Sequence, residues 1–84
     1  MLVKSLLVEN PAGLHARPAA AFVREARRYQ STIRVRKNGD AVDAKSILGL
    51  LSLGLGQGSV IELQVSGADE RAALEALERL VRGG

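Results

Sequence analysis

The residues best suited to chemistry lie in one ten-residue segment, which reads NPAGLHARPA over residues 10–19. It holds His15, the only histidine of the chain, and Arg17 two residues later. Pro18 follows at once, and proline is favoured in the first turn of a helix, because a backbone N–H would be unpaired there anyway. The segment therefore predicts a helix that begins close behind His15.

A helix start of this kind suits a phosphoryl group. Backbone N–H groups at a helix N-terminus point toward an anion, and the helix dipole favours negative charge there. The guanidinium of Arg17 would add donors that match phosphate oxygens. A cation alone is unfavourable at this end of a helix, which favours a phosphate-facing Arg17 over a plain surface charge.

Other chemistries for His15 find less support. The chain has no cysteine and no second histidine, so a zinc site is not expected. The nucleophile motif G-x-S-x-G is absent, although residue counts alone leave a Ser-His-Asp arrangement open. The chemistry that remains for His15 is that of a nucleophile that carries a group covalently. The simpler alternative is that His15 is only a polar residue at a helix start.

A second candidate is Ser46, in the segment KSILGLLSLG over residues 45–54. Serine is a good N-cap, because its hydroxyl accepts a hydrogen bond from an N–H of the first turn. It predicts a short helix from Ile47 to about Leu53. So short a helix cannot bury all of its large apolar residues on one stripe, so some of them should form an exposed patch. These residues are Ile47, Leu48, Leu50, Leu51 and Leu53.

Hydrophobic periodicity predicts the elements that position these residues. Residues 2–8 and 59–66 read as strands, the second with one apolar face of Ile61, Leu63 and Val65. The helix that follows His15 should bury Ala19, Phe22, Val23, Ala26 and Tyr29. Its opposite face carries Arg17, Ala20, Arg24 and Arg27.

The middle of the chain predicts a hairpin. Residues 32–37 alternate cleanly, with Ile33 and Val35 inward. The following Asn-Gly pair, residues 38–39, indicates a type I′ turn, which needs positive φ at both positions. The turn places Lys37 opposite Asp40, so the next strand covers residues 40–43.

The end of the chain predicts one more loop and helix. Gly54, Gly56 and Gly58 end the short helix and form a mobile loop. Asp69 is a suitable N-cap for the last helix, and Gly83 a suitable terminator. The apolar stripe of this helix comprises Ala73, Leu74, Leu77, Leu80 and Val81.

The element order is therefore strand, helix, strand, strand, helix, strand, helix. The alternation in the strands favours a sheet with one solvated face, and hence antiparallel pairing. We expect an α+β fold, a two-layer open-faced sandwich β-α-β-β-α-β-α. It has a four-stranded antiparallel sheet with three helices on one face. The 84 residues suggest a single domain over residues 1–84.

Composition narrows the class of protein. A hydrophobic fraction of 46% is too high for disorder, and the absence of cysteine fits a reducing compartment. The apolar start of the chain is too short for a membrane span, so we expect a soluble, cytoplasmic protein. The net charge of +3 permits nucleic acid or acidic proteins as partners. Only two aromatic residues are present, which argues against a base-stacking surface.

Both motifs resemble those of a known family. Residues 10–19 closely resemble the active-centre signature of the histidine-containing phosphocarrier protein HPr of the bacterial phosphotransferase system. Residues 45–54 resemble the regulatory-serine segment of that family. The resemblance extends over essentially the whole chain, including the spacing between the motifs. One departure is Ala12, where some members carry a polar residue that could bond the phosphate.

The resemblance implies a carrier and not an enzyme with turnover of its own. His15 would accept a phosphoryl group on Nδ1 from phosphorylated enzyme I, which takes it from phosphoenolpyruvate. It would pass the group to IIA domains of sugar permeases. Arg17 and the backbone N–H near Ala16 would bind the phosphoryl oxygens. The family implies no cofactor and no metal, and we expect a monomer that binds neither nucleic acid nor membrane.

This role requires a neutral imidazole. The helix N-terminus and Arg17 both disfavour a positive charge on His15. We therefore expect its pKa to lie below the ordinary value of about 6.5, which an NMR titration would measure.

The resemblance also implies regulation and a docking surface. In family members of the Gram-positive type, the serine that matches Ser46 is phosphorylated by an ATP-dependent kinase, HPr kinase/phosphorylase. This modification weakens exchange with enzyme I and promotes binding to a catabolite-control transcription regulator. The family assigns Ile47, Leu48 and Leu51 to partner docking, and a basic rim would steer acidic partners. The residues of this docking surface are Arg17, Ala20, Arg24, Arg27, Lys45, Ile47, Leu48 and Leu51.

Two other functions stay open. A nitrogen-regulatory relative would use the same His15 chemistry, and only its partners would differ. A regulatory binding module would act through Ser46 and the apolar patch alone, and would have no need of a phosphorylatable histidine.

Overall fold

The alternating segments form a single antiparallel sheet. The computed structural model describes residues 1–9 and 16–82. Its strands are β1 (Leu2–Leu7), β2 (Thr32–Lys37), β3 (Asp40–Asp43) and β4 (Val60–Ser66). They lie in the order β1-β4-β2-β3, and every neighbouring pair is antiparallel. The predicted sheet is thereby confirmed, with each strand boundary within a residue of expectation.

The hairpin between β2 and β3 has the predicted turn. Asn38 has φ of 52° and Gly39 has φ of 88°, as a type I′ turn requires. Lys37 pairs with Asp40, and Val35 pairs with Val42. A local signal of two residues thus sets the register of the whole hairpin.

Three helices supply the second layer: α1 (Ala16–Ala26), α2 (Ile47–Ser52) and α3 (Glu70–Val81). Helices α1 and α3 bury the faces that their periodicity predicts, with Tyr29, Leu74 and Leu80 buried only in part. From α1 the buried residues are Ala19, Phe22, Val23 and Ala26, and from α3 they are Ala73, Leu77 and Val81. They pack on the inward face of the sheet, to which the strands contribute Leu6, Ile33, Val35, Ile61, Leu63 and Val65.

Two features of the core were not predicted. Leu55, in the glycine-rich loop after α2, is fully buried, although nothing in its local pattern distinguishes it from a loop residue. Lys4 occupies an inward position of β1, opposite Leu63. Lys4 is nevertheless exposed, and its ammonium bonds Glu78 of α3 at 2.8 and 2.9 Å.

The predicted N-cap position of Asp69 is confirmed, but its side chain binds elsewhere. Asp69 is the N-cap residue of α3, but its carboxylate makes no capping hydrogen bond. It accepts instead from the backbone N–H groups of Gln30 and Ser31, at 2.9 and 3.0 Å, and from the Ser31 hydroxyl. The carboxylate satisfies the turn before β2, because the buried Ser31 would otherwise lack a partner.

Several expectations lie outside the described residues. They concern the turn at residues 10–13, including Ala12, the side chains of His15 and Arg17, and the termination of α3 at Gly83.

Candidate functional site

Helix α1 begins at the segment that the sequence predicts to be the phosphoryl-accepting site. Its first residue, Ala16, directly follows His15 in the chain, and Pro18 lies in its first turn. The first turn carries no acidic residue. The positive end of the helix dipole is therefore not offset by a carboxylate of its own turn. His15 itself, and the side chains of Ala16 and Arg17, lie outside the described part of the chain.

The face of α1 away from the core is open to solvent. Ala20, Arg24 and Arg27 are exposed, while Phe22 and Val23 point into the core. The predicted basic face is thus present from Ala20 onward.

Ser46 caps α2 as its sequence predicts. Its backbone is extended, and its hydroxyl accepts a hydrogen bond from the Gly49 N–H at 3.2 Å. The carbonyl of Ser46 accepts from the Leu50 N–H at 3.0 Å. Ser46 is half-buried, so the residue combines a capping role with a side chain that solvent reaches in part.

Helix α2 exposes much of its apolar surface. Leu50 is its only fully buried residue, whereas the side chain of Leu48 is 78% exposed and that of Leu51 is 40% exposed. Ile47 and Leu53 pack in part against the core. Six residues make less than two turns, so only one residue in this helix faces the sheet squarely. The predicted apolar patch is therefore present.

A shallow groove of about 420 Å³ separates the exposed faces of α1 and α2. Its lining consists of Ala20, Val23, Arg24, Arg27 and Ile47. The structure thus brings together four of the residues that the sequence assigned to docking. Leu48 and Leu51 lie beside this groove on α2 and do not line it. An apolar floor with basic edges fits a partner that presents an apolar side chain near carboxylates.

Two of the basic docking residues bond the backbone. The Arg27 Nε donates to the carbonyl of Lys45 at 3.0 Å. The ammonium of Lys45 donates to the carbonyl of Tyr29 at 2.8 Å, just beyond the C-terminal end of α1. Lys45 is half-buried as a result and is not a free rim charge.

Lys37 holds the other end of α2. Its ammonium donates to the carbonyls of Leu53 and Gly54, at 3.3 and 2.9 Å. A cation at a helix C-terminus is favourable, because the last carbonyls lack helical partners. The sequence offered no signal for this contact, since Lys37 belongs to a strand that lies 16 residues before Leu53.

Other site types receive no support from the described residues. Among residues 1–9 and 16–82, no three His, Cys, Asp or Glu side chains come close enough together to hold a metal ion. The helices within these ranges are all too short or too polar to cross a bilayer.

Comparison with known proteins agrees with this geometry. The family model PTS-HPr, described as "PTS HPr component phosphorylation site", matches residues 2–83. The chain belongs to the PTS-HPr family. The HPr proteins of this family are phosphocarriers of the phosphotransferase system and not catalytic enzymes, and membership supports the same role for this chain.

Relatives match over nearly the full length of the chain. Phosphocarrier protein HPr of Treponema pallidum is 50% identical over 80 residues, which is 95% of this chain and 91% of that protein. HPr-like protein Crh of Halalkalibacterium halodurans is 52% identical over 77 residues, 92% of each chain. The crystal structure of HPr from Bacillus anthracis superposes with a TM-score of 0.92 at 46% identity, with 94% of each chain covered. The predicted fold class is therefore confirmed.

Proposed function

We propose that this protein carries a phosphoryl group on His15, accepts it from phosphorylated enzyme I and passes it to IIA domains of sugar permeases. The observation that carries the proposal is the match of residues 2–83 to a family model whose description names a phosphorylation site. The chain has one histidine, and a phosphoryl group on its imidazole nitrogen would be an acid-labile phosphoramidate.

The start of α1 supports the chemistry. The neutral imidazole of His15 attacks the phosphorus through Nδ1, the new P–N bond forms, and the bond to the donor breaks. The N–H groups of the first turn, at Ala16 and Arg17, have no acceptor within an α-helix and would bind the transferred oxygens. Because a carrier must release its cargo, this stabilisation has to remain modest.

The test is phosphorylation by enzyme I. The protein is incubated with phosphoenolpyruvate, Mg²⁺ and purified enzyme I, and its intact mass is measured before and after mild acid. We expect one acid-labile phosphoryl group, absent in His15→Ala. If enzyme I from the same organism leaves the protein unmodified, the sugar relay is the wrong assignment. The nitrogen-regulatory relay then becomes the alternative to test, with the enzyme I of that relay as donor.

Partner docking is assigned to the groove and the adjacent apolar face of α2. Leu48 and Leu51 supply exposed apolar surface, and Arg24 supplies charge at the rim. An exposed apolar patch with a charged border is typical of a protein interaction site.

Regulatory phosphorylation is assigned to Ser46. Its N-cap position supports the assignment, because a phosphate is tolerated at the positive end of a helix. The effect would then fall on partner docking, including a catabolite-control regulator, and not on folding. HPr kinase/phosphorylase with ATP should add one acid-stable phosphate to the wild type and none to Ser46→Ala.

The relative named HPr-like protein Crh favours one second candidate, a regulatory binding module that acts through Ser46. The first experiment separates the two functions. A module of this kind would take no phosphoryl group from enzyme I on His15, yet would still be modified at Ser46.

A further inference from the structure

Helix α2 depends on the rest of the protein for its position. It has six residues and one fully buried side chain, Leu50. An isolated helix shorter than ~12–15 residues is marginal in water, so α2 cannot hold its place by helical propensity alone. Its placement against α1 must come from tertiary contacts.

Two crossed hydrogen bonds join the two helices at one end of the groove. The Arg27 side chain of the turn that ends α1 binds the Lys45 carbonyl at 3.0 Å, and the Lys45 side chain binds the Tyr29 carbonyl at 2.8 Å. Each donor is a cation, which makes such bonds stronger than neutral ones. The Lys45 ammonium also lies at the negative end of the α1 dipole. Lys45 directly precedes the N-cap of α2, so the pair sets where α2 begins.

The backbone around Lys45 is held from a second side. The Lys45 N–H donates to the Asp43 carboxylate at 2.9 Å, and the Ser46 N–H donates to the Asp43 carbonyl at 3.1 Å. The turn from β3 into α2 is therefore well ordered locally. The crossed pair is what ties this turn to α1.

We propose that Arg27 and Lys45 are positioning residues that set the width of the groove between α1 and α2. Arg27 is itself one of the residues that line the groove, and Lys45 lies two residues before Ile47, which lines it from α2. The role of the groove in partner docking rests on the proposed function. The positioning of α2 by the two residues does not, because it can be measured in the free protein. Arg27 and Lys45 are thereby assigned to groove geometry, in place of the direct charge contact with a partner that the sequence suggested.

The two roles predict different kinetics. A steering charge acts on the association rate and on its dependence on salt. A positioning residue acts on the fit of the bound complex, and therefore on the dissociation rate. Arg24, which is exposed and also lines the groove, is the reference for a charge outside the crossed pair.

The test compares Lys45→Met and Arg27→Met with Arg24→Met and Lys4→Met. Lys4→Met removes another lysine hydrogen bond of 2.8 Å, but between β1 and α3 and away from the groove. Binding to purified enzyme I is followed by stopped flow at several salt concentrations. Amide hydrogen exchange is measured in each free protein, with Tm as the control for general loss of stability.

We expect Lys45→Met and Arg27→Met to raise the dissociation rate about fivefold, which corresponds to the loss of one net hydrogen bond. The salt dependence of their association rate should change less than that of Arg24→Met. In the free protein, the amides of Gly49 and Leu50 should exchange about fivefold faster. Lys4→Met should lower Tm and leave both readouts unchanged. A rescue variant, Lys45→Arg, keeps a donor for the Tyr29 carbonyl and should restore slow exchange.

Unchanged α2 exchange in Lys45→Met and Arg27→Met would overturn the proposal, as would a purely salt-dependent loss of association. Failure of the proposed function looks different. Wild-type protein would then not bind enzyme I, while the exchange measurement in the free protein would still decide the role of the pair.

Discussion

At the scale of single residues, Ser31 and Asp69 join the start of α3 to the turn before β2. The Asp69 carboxylate accepts three hydrogen bonds there, and the Ser31 side chain is buried. Gly67 lies directly against Ser31 and has a φ of 154°. A Cβ at Gly67 would meet the Ser31 Oγ at 2.6 Å and the Ser31 Cα at 2.7 Å. Glycine is therefore required at this position for space as well as for conformation.

The first prediction follows from that close approach. Gly67→Ala should destabilise the protein by about 2 kcal/mol or more, because the backbone of Ser31 cannot move without losing Asp69. The control is Gly39→Ala, where φ is also positive but no atom lies within 4 Å of the added Cβ. It should cost about 1 kcal/mol, from backbone strain alone. Urea unfolding measures both, and equal losses would contradict a steric role for Ser31.

A second prediction concerns Arg17. Arg17→Ala should slow phosphoryl transfer from enzyme I on the order of tenfold, because charged hydrogen bonds to the phosphoryl oxygens are lost. Far-UV circular dichroism and Tm should stay unchanged. Arg36→Ala is the matched control, since Arg36 is exposed on β2. Quench-flow rates at saturating enzyme I separate transfer from docking. Equal rates for Arg17→Ala and wild type would refute the role.

At the scale of elements, α2 is a short helix whose two ends are both held by side chains. Ser46 caps its start, and the Lys37 ammonium binds the carbonyls beyond its end. Leu50 is buried in the core and Ile47 and Leu53 pack against it, whereas Leu48 and Leu51 are exposed. Under the proposed function, stability and docking are therefore carried by different residues of the same helix.

The third prediction separates the two roles of Ser46. Ser46→Ala removes the acceptor for the Gly49 N–H and should cost about 1 kcal/mol. Ser46→Asp keeps a good N-cap and adds charge at the favourable end of the helix, so its stability should stay close to wild type. Its binding to enzyme I should nevertheless weaken. If Ser46→Asp lost much stability, its weaker binding would be explained by disruption of α2 and not by the added charge.

At the scale of the whole molecule, carboxylates tie α3 to the sheet and to the preceding turns. The Lys4 ammonium, which donates to Glu78, lowers the pKa of that carboxyl. The hydroxyl of Ser31, together with the N–H groups of the same turn, lowers the pKa of Asp69. The Gly67 N–H, followed by the N-terminal ammonium, lowers the pKa of Glu70.

The fourth prediction is a loss of stability in acid. A carboxyl whose folded pKa is lowered stabilises the fold above its unfolded pKa, about 4. That contribution disappears as pH falls from there through the folded pKa. The free energy of unfolding should therefore decrease steadily below about pH 4. In Lys4→Gln the pKa of Glu78 rises toward its ordinary value. The urea midpoint of this variant should therefore change less with pH below about pH 4 than that of the wild type. A pH dependence identical to wild type would contradict the Lys4–Glu78 contribution.

Much of this protein follows from short-range patterns. The Asn38-Gly39 turn, the Ser46 cap and the buried faces of α1 and α3 depend on residues within a turn or two of each other. Their conformational preferences are therefore local and were predicted correctly. The chemistry of the segment around His15 was likewise inferred from its residue types, although the segment itself lies outside the described residues.

Only the tertiary structure decided which distant groups meet. The pairings of β4 with β1 and with β2, and the partners of Asp69, Lys4, Lys37 and Lys45, join residues between 16 and 74 positions apart. No local pattern encodes such pairs, because a charged side chain reads as solvated until the fold brings a partner to it. The sequence by itself therefore determined the elements, the family and the candidate phosphoryl acceptor. The packing of α1 against α2 decided which of the basic residues bond backbone carbonyls, namely Arg27 and Lys45.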